Sequence, residues 1–227
     1  MVEFLDRYGS FLWNGAVMTI ILSVVSMIFA LILGGVLTAL RMSKNKIIHY
    51  ITVTFIEIIR GLPMLVILFL CFYGIPMLGI QFPDYQIMGV DMSRFAAVLV
   101  GLTVGESVFV SEIFRSGIQS IDPGQLEGAR SVGFSKWQSY RYVVLPQAIR
   151  NILPAIANEF ANNIKSSSQA SVIGVADLLF AAQTIQGISY KPFQAVVAAG
   201  AIYLLFTFSI TRVVSVLEKK MSRTSRS

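Results

Sequence analysis

The hydrophobic pattern along the chain is one of long apolar runs separated by short polar segments. After a lead carrying Glu3, Asp6 and Arg7, residues 16–40 contain no ionisable side chain, and the run exceeds the roughly 20 apolar residues needed to cross a bilayer. Further apolar stretches follow at 51–74, 94–114, 149–164 and 193–217. The second is interrupted early by Glu57 and Arg60, and the third holds Glu106 and Glu112. The fourth is the most polar, with Asn158, Glu159, Asn162 and Asn163. The pattern predicts an all-α integral membrane protein, with five transmembrane helices in a single domain over residues 1–227. The lead lacks the basic cluster and small-residue cleavage site of a removable signal, so 16–40 reads as a retained first span.

Composition supports the membrane class. The chain is 55% apolar and 13% charged, against roughly 45–50% and about 25% in soluble domains. Its mean hydropathy is +0.71, more apolar surface than one soluble core of 227 residues could hide. The net charge of +6 would point to nucleic acid in a soluble protein, but here position matters more. With the side reached after the first span taken as cytoplasmic, 13 of the 18 basic residues fall on that side. They are Arg41, Lys44 and Lys46, then Arg115, Arg130, Lys136, Arg141 and Arg150. The C-terminal group is Arg212, Lys219, Lys220, Arg223 and Arg226. The loop 75–93 has two acids and no basic residue. This positive-inside bias places the N-terminus outside and the C-terminus in the cytoplasm. Without the fourth span the basic C-terminus would lie outside, which is the better argument for keeping that polar helix. No nucleic-acid partner is expected.

The single cysteine, Cys71, excludes an intramolecular disulfide and a four-cysteine metal site. Its apolar surroundings make it a small hydrophobe, and His49, in a basic loop, reads as solvated. No G-x-x-x-x-G-K-[ST] phosphate loop occurs, so any ATP used with this chain is bound by another protein.

The cytoplasmic loop 120–146 carries the sharpest local signals. Asp122 is a good N-cap, Pro123 suits the first helical position and Gln125 completes a capping box. That helix is expected to run to about Val132 and to end at Gly133, which tolerates the left-handed conformation. Ser135, with Gln138 three residues on, starts a second short helix that Pro146 closes. Two rigid helices are thus presented on one face of the membrane.

Glu127-Gly128-Ala129, followed at set spacing by Gly133, Val143 and Leu145-Pro146, resembles the "EAA" loop of ATP-binding-cassette importer permeases. Arg60-Gly61-Leu62-Pro63, Gly124-Gln125, Leu145-Pro146-Gln147-Ala148-Ile149-Arg150, Lys165-Ser166-Ser167-Ser168 and Ser171-Val172-Ile173-Gly174-Val175 are similar to motifs of polar amino acid permeases, the histidine, glutamine and arginine type. The resemblance covers residues 13–203. It implies a type I importer permease fold in a bacterial plasma (inner) membrane, moving a polar amino acid inward by alternating access. It also implies ATPase subunits as partners, with ATP and Mg bound there and no cofactor in this chain. A second permease copy or homologous permease and an extracellular or periplasmic substrate-binding protein complete the implied assembly. Gln125, Glu127, Gly128, Ala129 and Gly133 would form the helix that couples to the ATPase. Two alternatives remain at this point. One is a permease for methionine or another small organic solute; the other is a self-contained channel or scaffold.

Ionisable groups inside a span need a partner or a wet cavity. Glu57 and Arg60 share a helix face and are expected to pair, the alternative being that Arg60 borders the solute path. Glu106 and Glu112 read as structural, pairing with Arg115 or another helix. Glu159, Asn162 and Asn163 stand at i, i+3 and i+4, one polar stripe, and are expected to line the solute site, the alternative being hydrogen bonding to a neighbouring helix. The resemblance implies acidic residues near these positions in arginine permeases. Glu159 would face an α-amino group, and Asn162 and Asn163 the solute's side chain. A single acid in the path favours a neutral polar solute over a dibasic one.

Overall fold

The computed structural model describes residues 2–87 and 89–224, and side chains within them from residue 3 to 215. The side chains of Lys219, Lys220 and Arg223, and all of Arg226, lie outside that description. The first helix, α1 (Val2–Arg41), has 40 residues, which at 1.5 Å per residue gives about 60 Å, well over the roughly 30 Å of a hydrocarbon core. It packs along α5 (Met92–Gln119). Gly34 makes that approach possible: a Cβ there would lie 2.6 Å from Val110 Cγ1 and 2.9 Å from the Ser107 carbonyl. One turn on, the Thr38 hydroxyl donates to the Ser111 carbonyl at 3.1 Å. Small residues and interhelical hydrogen bonds serve where no water is present to drive apolar association.

The second apolar stretch is not one straight helix. Helix α2 (Lys46–Gly61) stops at Leu62-Pro63, and α3 (Met64–Phe69) leaves at a bend of 109°. Pro63 lacks an N–H, and its ring forces Leu62 into an extended conformation, φ −95° and ψ 139°. From α3 the chain passes through a π-helical turn, Leu70–Gly74, into α4 (Ile75–Met77). A small antiparallel hairpin, β1 (Gln86–Ile87) and β2 (Val90–Asp91), interrupts the helical pattern before α5. Asp91 then caps α5, its carboxylate accepting from the Ser93 and Arg94 amides. At the α1–α2 turn His49 is not simply solvated: its Nδ1–H donates to the Arg41 carbonyl at 2.6 Å.

Beyond α5 come α6 (Pro123–Ser131) and α7 (Lys136–Ser139). Asp122 caps α6 by accepting from the Gly124 amide at 2.6 Å, and Gly133 takes φ +93°. Ser135 and Gln138 form a capping box at α7. Two expectations fail here. Gln125 makes no capping box; its Oε1 accepts from Gln147 Nε2 at 3.4 Å instead, because α6 folds back on the start of the next helix. Pro146 closes nothing: α7 runs through a π-helical turn, Tyr140–Val144, into α8 (Leu145–Ser166), where Pro146 occupies the first turn and needs no N–H partner.

A 3-10 turn at Ser167–Gln169 and α9 (Ala170–Ile173) extend α8, and α10 (Leu178–Ser189) follows at a 48° bend. Helix α11 (Pro192–Thr224) ends the fold. By length and composition α1, α5 and α11 are each apolar enough to cross a membrane, and the two bent pairs raise that number to five. The interior has two main apolar clusters. Leu12, Ala16, Leu178, Ile185, Ala195 and Ala199 join α1, α10 and α11. Leu22, Leu68, Val98, Leu102, Ala170 and Ile173 join α1, α3, α5 and α9.

Candidate functional site

The break between α2 and α3, the middle of α5 and the C-terminal half of α8 converge on a cavity of about 340 Å³. Leu62, Met64, Ile67 and Phe109 form its apolar wall, and Glu106, Glu159, Asn162 and Ser166 its polar one. The local sequence explains the convergence. Pro63 breaks one helix and so exposes its ends toward the cavity, while Glu159, Asn162 and Ser166 follow at i, i+3 and i+7 along one face of α8. Discontinuous helices beside a polar stripe are a common way to build a solute site in lipid.

The electrostatics are dominated by two carboxylates. Glu106 is 2% exposed and its Oε2 has no hydrogen-bond partner. It faces Glu159 across the cavity, close enough for the two to interact. Glu159 is half-buried and accepts from Asn162 Nδ2 at 3.3 Å. Among the described residues no lysine or arginine lines the cavity. Glu106 was expected to pair structurally, and that reading is corrected: it stands in the same cavity as Glu159. The usable signal was its isolation, since Arg115 is nine positions away on the helix and no basic residue lies within one turn of Glu106. Glu112 does pair, with Arg115 and with Arg41 at 2.6 Å on α1.

Asn163 does not share the cavity. One position past Asn162 the helix has turned by about 100°, and Asn163 is fully buried against α1. Its Nδ2 donates to the Ser23 carbonyl and to the Ser26 hydroxyl, both at 3.0 Å. The Ser23 hydroxyl extends this seam to Ser167 Oγ at 3.3 Å. Arg60 and Glu57 do not pair. Among the described residues the ion pairs are Arg41–Glu112, Arg115–Glu112 and Arg94–Asp91. Arg60 instead reaches across to α5, its guanidinium 5.8 Å from the centre of the Phe109 ring. That places it beside a residue of the cavity wall, held by a cation–π contact.

Away from this cavity, α6 presents Gln125, Glu127 and Gly128 to solvent, and Gly133 is exposed at its end. Ala129 is 8% exposed and turns inward as the foot of the helix. The Phe134 amide donates to the Ala129 carbonyl at 3.2 Å, and this bond across the left-handed Gly133 locks the C-terminus of α6. The result is a short capped helix folded against the start of α8, with the Glu127 carboxylate exposed.

Residues 31–223 match the family described as "Binding-protein-dependent transport system inner membrane component". The "Probable amino-acid permease protein YxeN" of Bacillus subtilis (strain 168) is 34% identical over 208 residues, 92% of this chain and 90% of that protein. The "Probable glutamine ABC transporter permease protein GlnP" of the same organism is 32% identical over 97% of this chain and all of its own length. Among solved structures, an amino acid ABC transporter crystallised with histidines superposes with a TM-score of 0.86 at 36% identity, covering 95% of this chain and 96% of that one. The chain therefore belongs to the binding-protein-dependent inner membrane components, as the non-catalytic, multi-pass subunit of an amino-acid ABC importer whose ATP is bound by a partner ATPase.

Proposed function

We propose that the cavity between α3, α5 and α8 is the point where a polar amino acid pauses on its way through the membrane. The carrying observation is the pair Glu106 and Glu159 in a cavity that no lysine or arginine lines among the described residues. An α-ammonium group supplies the missing charge, Asn162 and Ser166 offer hydrogen bonds, and the wall of Leu62, Met64, Ile67 and Phe109 receives the carbon chain. Arg60, next to Phe109, is positioned to meet the solute's carboxylate as it enters or leaves. Asn163 is left out of this site and holds α8 on α1.

The chain forms one membrane domain of five spans, with the N-terminus outside and the C-terminus in the cytoplasm. The distribution of basic residues supports that orientation. Two permease chains, this one with a second copy or with a homologous permease, enclose the pathway. A bundle whose apolar faces include Ile28, Ile32, Leu204, Leu205 and Phe208, all exposed in the single chain, has surface available for both lipid and a partner. The α6 helix docks in the ATPase through Gln125, Glu127 and Gly128. Closure of the ATPases on ATP then moves α6 and, through α7 and its continuous run into α8, the wall of the cavity. The binding protein delivers solute from the other face.

The test is uptake and solute-stimulated ATPase activity of the complex reconstituted in proteoliposomes. Glu159→Gln removes one charge-assisted contact, worth roughly 1.5–3 kcal/mol, so apparent affinity falls about tenfold or more while the complex assembles normally. Wild-type transport by Glu159→Gln, or a defect traced wholly to failed assembly, makes Glu159 a packing residue and removes the cavity from the path.

A further inference from the structure

We propose that the groove where the end of α5 meets α7 and the start of α8 seats an anionic phospholipid of the cytoplasmic leaflet, its phosphate held by Lys136 and Arg141. The choice of leaflet rests on the orientation proposed above.

The groove has a volume of about 510 Å³. Half-buried Ile118 and Tyr140 and buried Val144 give it an apolar floor, and the exposed side chains of Lys136 and Arg141 line it as well. Its depth follows from the chain. Ile118 lies four residues past the apolar stretch 94–114, and Leu145, on the opposite wall, lies four before the stretch 149–164. Four residues are about 6 Å of helix, which places the groove just outside the hydrocarbon, at headgroup depth. Trp137, also lining the groove and 75% exposed, is the kind of side chain enriched at that depth. The two cations are free to take a ligand. Among the described residues, Glu112 pairs with Arg41 and Arg115, and no ion pair includes Lys136 or Arg141. Residues 128–158 hold Arg130, Lys136, Arg141 and Arg150 and no acid. Five positions would set Lys136 and Arg141 about 140° apart on a regular α-helix. The widened π-helical turn Tyr140–Val144 closes part of that angle, and both reach the same groove.

Other occupants fit less well. The groove shares no residue with α6, the helix proposed to enter the ATPase. A two-fold contact with a second copy would set Lys136 and Arg141 against the same two cations. An anionic phospholipid meets both features, with its phosphate at the cations and an acyl chain along the apolar floor. Seated there, it braces the segment through which α6 continues into α8.

The test uses the assembled permease–ATPase complex carrying Trp13→Phe, which leaves Trp137 as the tryptophan of this chain. The complex is placed in phosphatidylcholine nanodiscs with a rising fraction of lipid brominated near the headgroup end of its chains, and quenching of fluorescence is followed. The same complex with Trp137→Phe is the blank. Brominated phosphatidylglycerol is expected to quench Trp137 at a mole fraction roughly thirtyfold lower than brominated phosphatidylcholine, about fivefold for each basic side chain near an anionic surface. Lys136→Gln or Arg141→Gln should each lower that preference about fivefold, and the two together should remove it. Arg141→Lys, which keeps the charge, should retain it. Equal quenching by the two lipids makes the groove an ordinary lipid-facing surface and overturns the proposal. Absence of quenching by either lipid does so too, since Trp137 is then covered by protein. A phosphatidylglycerol preference that survives the double substitution also overturns it. Both leaflets of a nanodisc carry the same lipid, so these outcomes stand whichever way the chain is oriented.

Discussion

Asn162 and Asn163 are neighbours in sequence with opposite surroundings, and replacing each by alanine should separate transport from packing. Asn163 donates to the Ser23 carbonyl and the Ser26 hydroxyl at 3.0 Å each, two bonds that tie α8 to α1 inside the bundle. Interhelical hydrogen bonds in membrane proteins average about 0.6 kcal/mol, with a maximum near 1.7. Losing two therefore gives a range of about 1–3 kcal/mol. The lower half is expected, because the groups left behind keep a partner: Ser26 Oγ still donates to the Ser23 carbonyl at 3.2 Å. Asn163→Ala should thus destabilise the purified chain by about 1–2 kcal/mol in unfolding from mixed detergent micelles. A double-mutant cycle with Ser26→Ala should recover a coupling of about 0.6 kcal/mol. Amino-acid affinity of the folded complex should be unchanged. Asn162→Ala should do the reverse, sparing stability and weakening binding, since Asn162 is exposed to the cavity and its amide donates to Glu159 beside it. An Asn163→Ala variant of normal stability that loses binding tenfold would refute the placement of Asn163 in the α1–α8 seam.

The remaining predictions concern coupling and packing. Glu127→Lys reverses an exposed charge of α6 and is expected to abolish solute-dependent ATPase stimulation while the chain still inserts and folds; co-purification of the ATPase and its activity are the measurements. Gly133→Ala forces an L side chain into φ +93°, which costs roughly 1–2 kcal/mol. It should loosen α6, seen as faster amide exchange over α6 and lower coupling efficiency, with the membrane helices unaffected. Gly34→Leu drives a side chain into Val110 and the Ser107 carbonyl. Overpacking of this kind costs typically about 1–3 kcal/mol, read as a lower unfolding midpoint without any change in solute preference.

How much of this was legible in the chain follows from which interactions are local. Helix starts at Asp122 and Ser135 and the stop at Gly133 depend on residues within four positions, so the one-dimensional sequence determined them. Membrane class follows equally from runs of apolar residues, because every backbone group in lipid must be satisfied within its own helix. The stretch 51–74 reads as one span, and its 109° bend at Leu62-Pro63 came only with the structure, since proline removes a hydrogen bond but neighbouring helices choose the direction. Side-chain facing was the part that sequence could not settle. A polar stripe at i, i+3 and i+4 spans a wide arc of helix, and only the packing of α1 against α8 decided that Asn163 points inward while Glu159 and Asn162 meet the cavity. Glu57 and Arg60 had the spacing of an ion pair, yet the ring of Phe109 on another helix drew the guanidinium away. Glu106 is the clearest case. Its isolation among apolar residues was visible, but its partner lies 53 positions along the chain on α8, and a charge gains its meaning from whatever the tertiary fold sets opposite it.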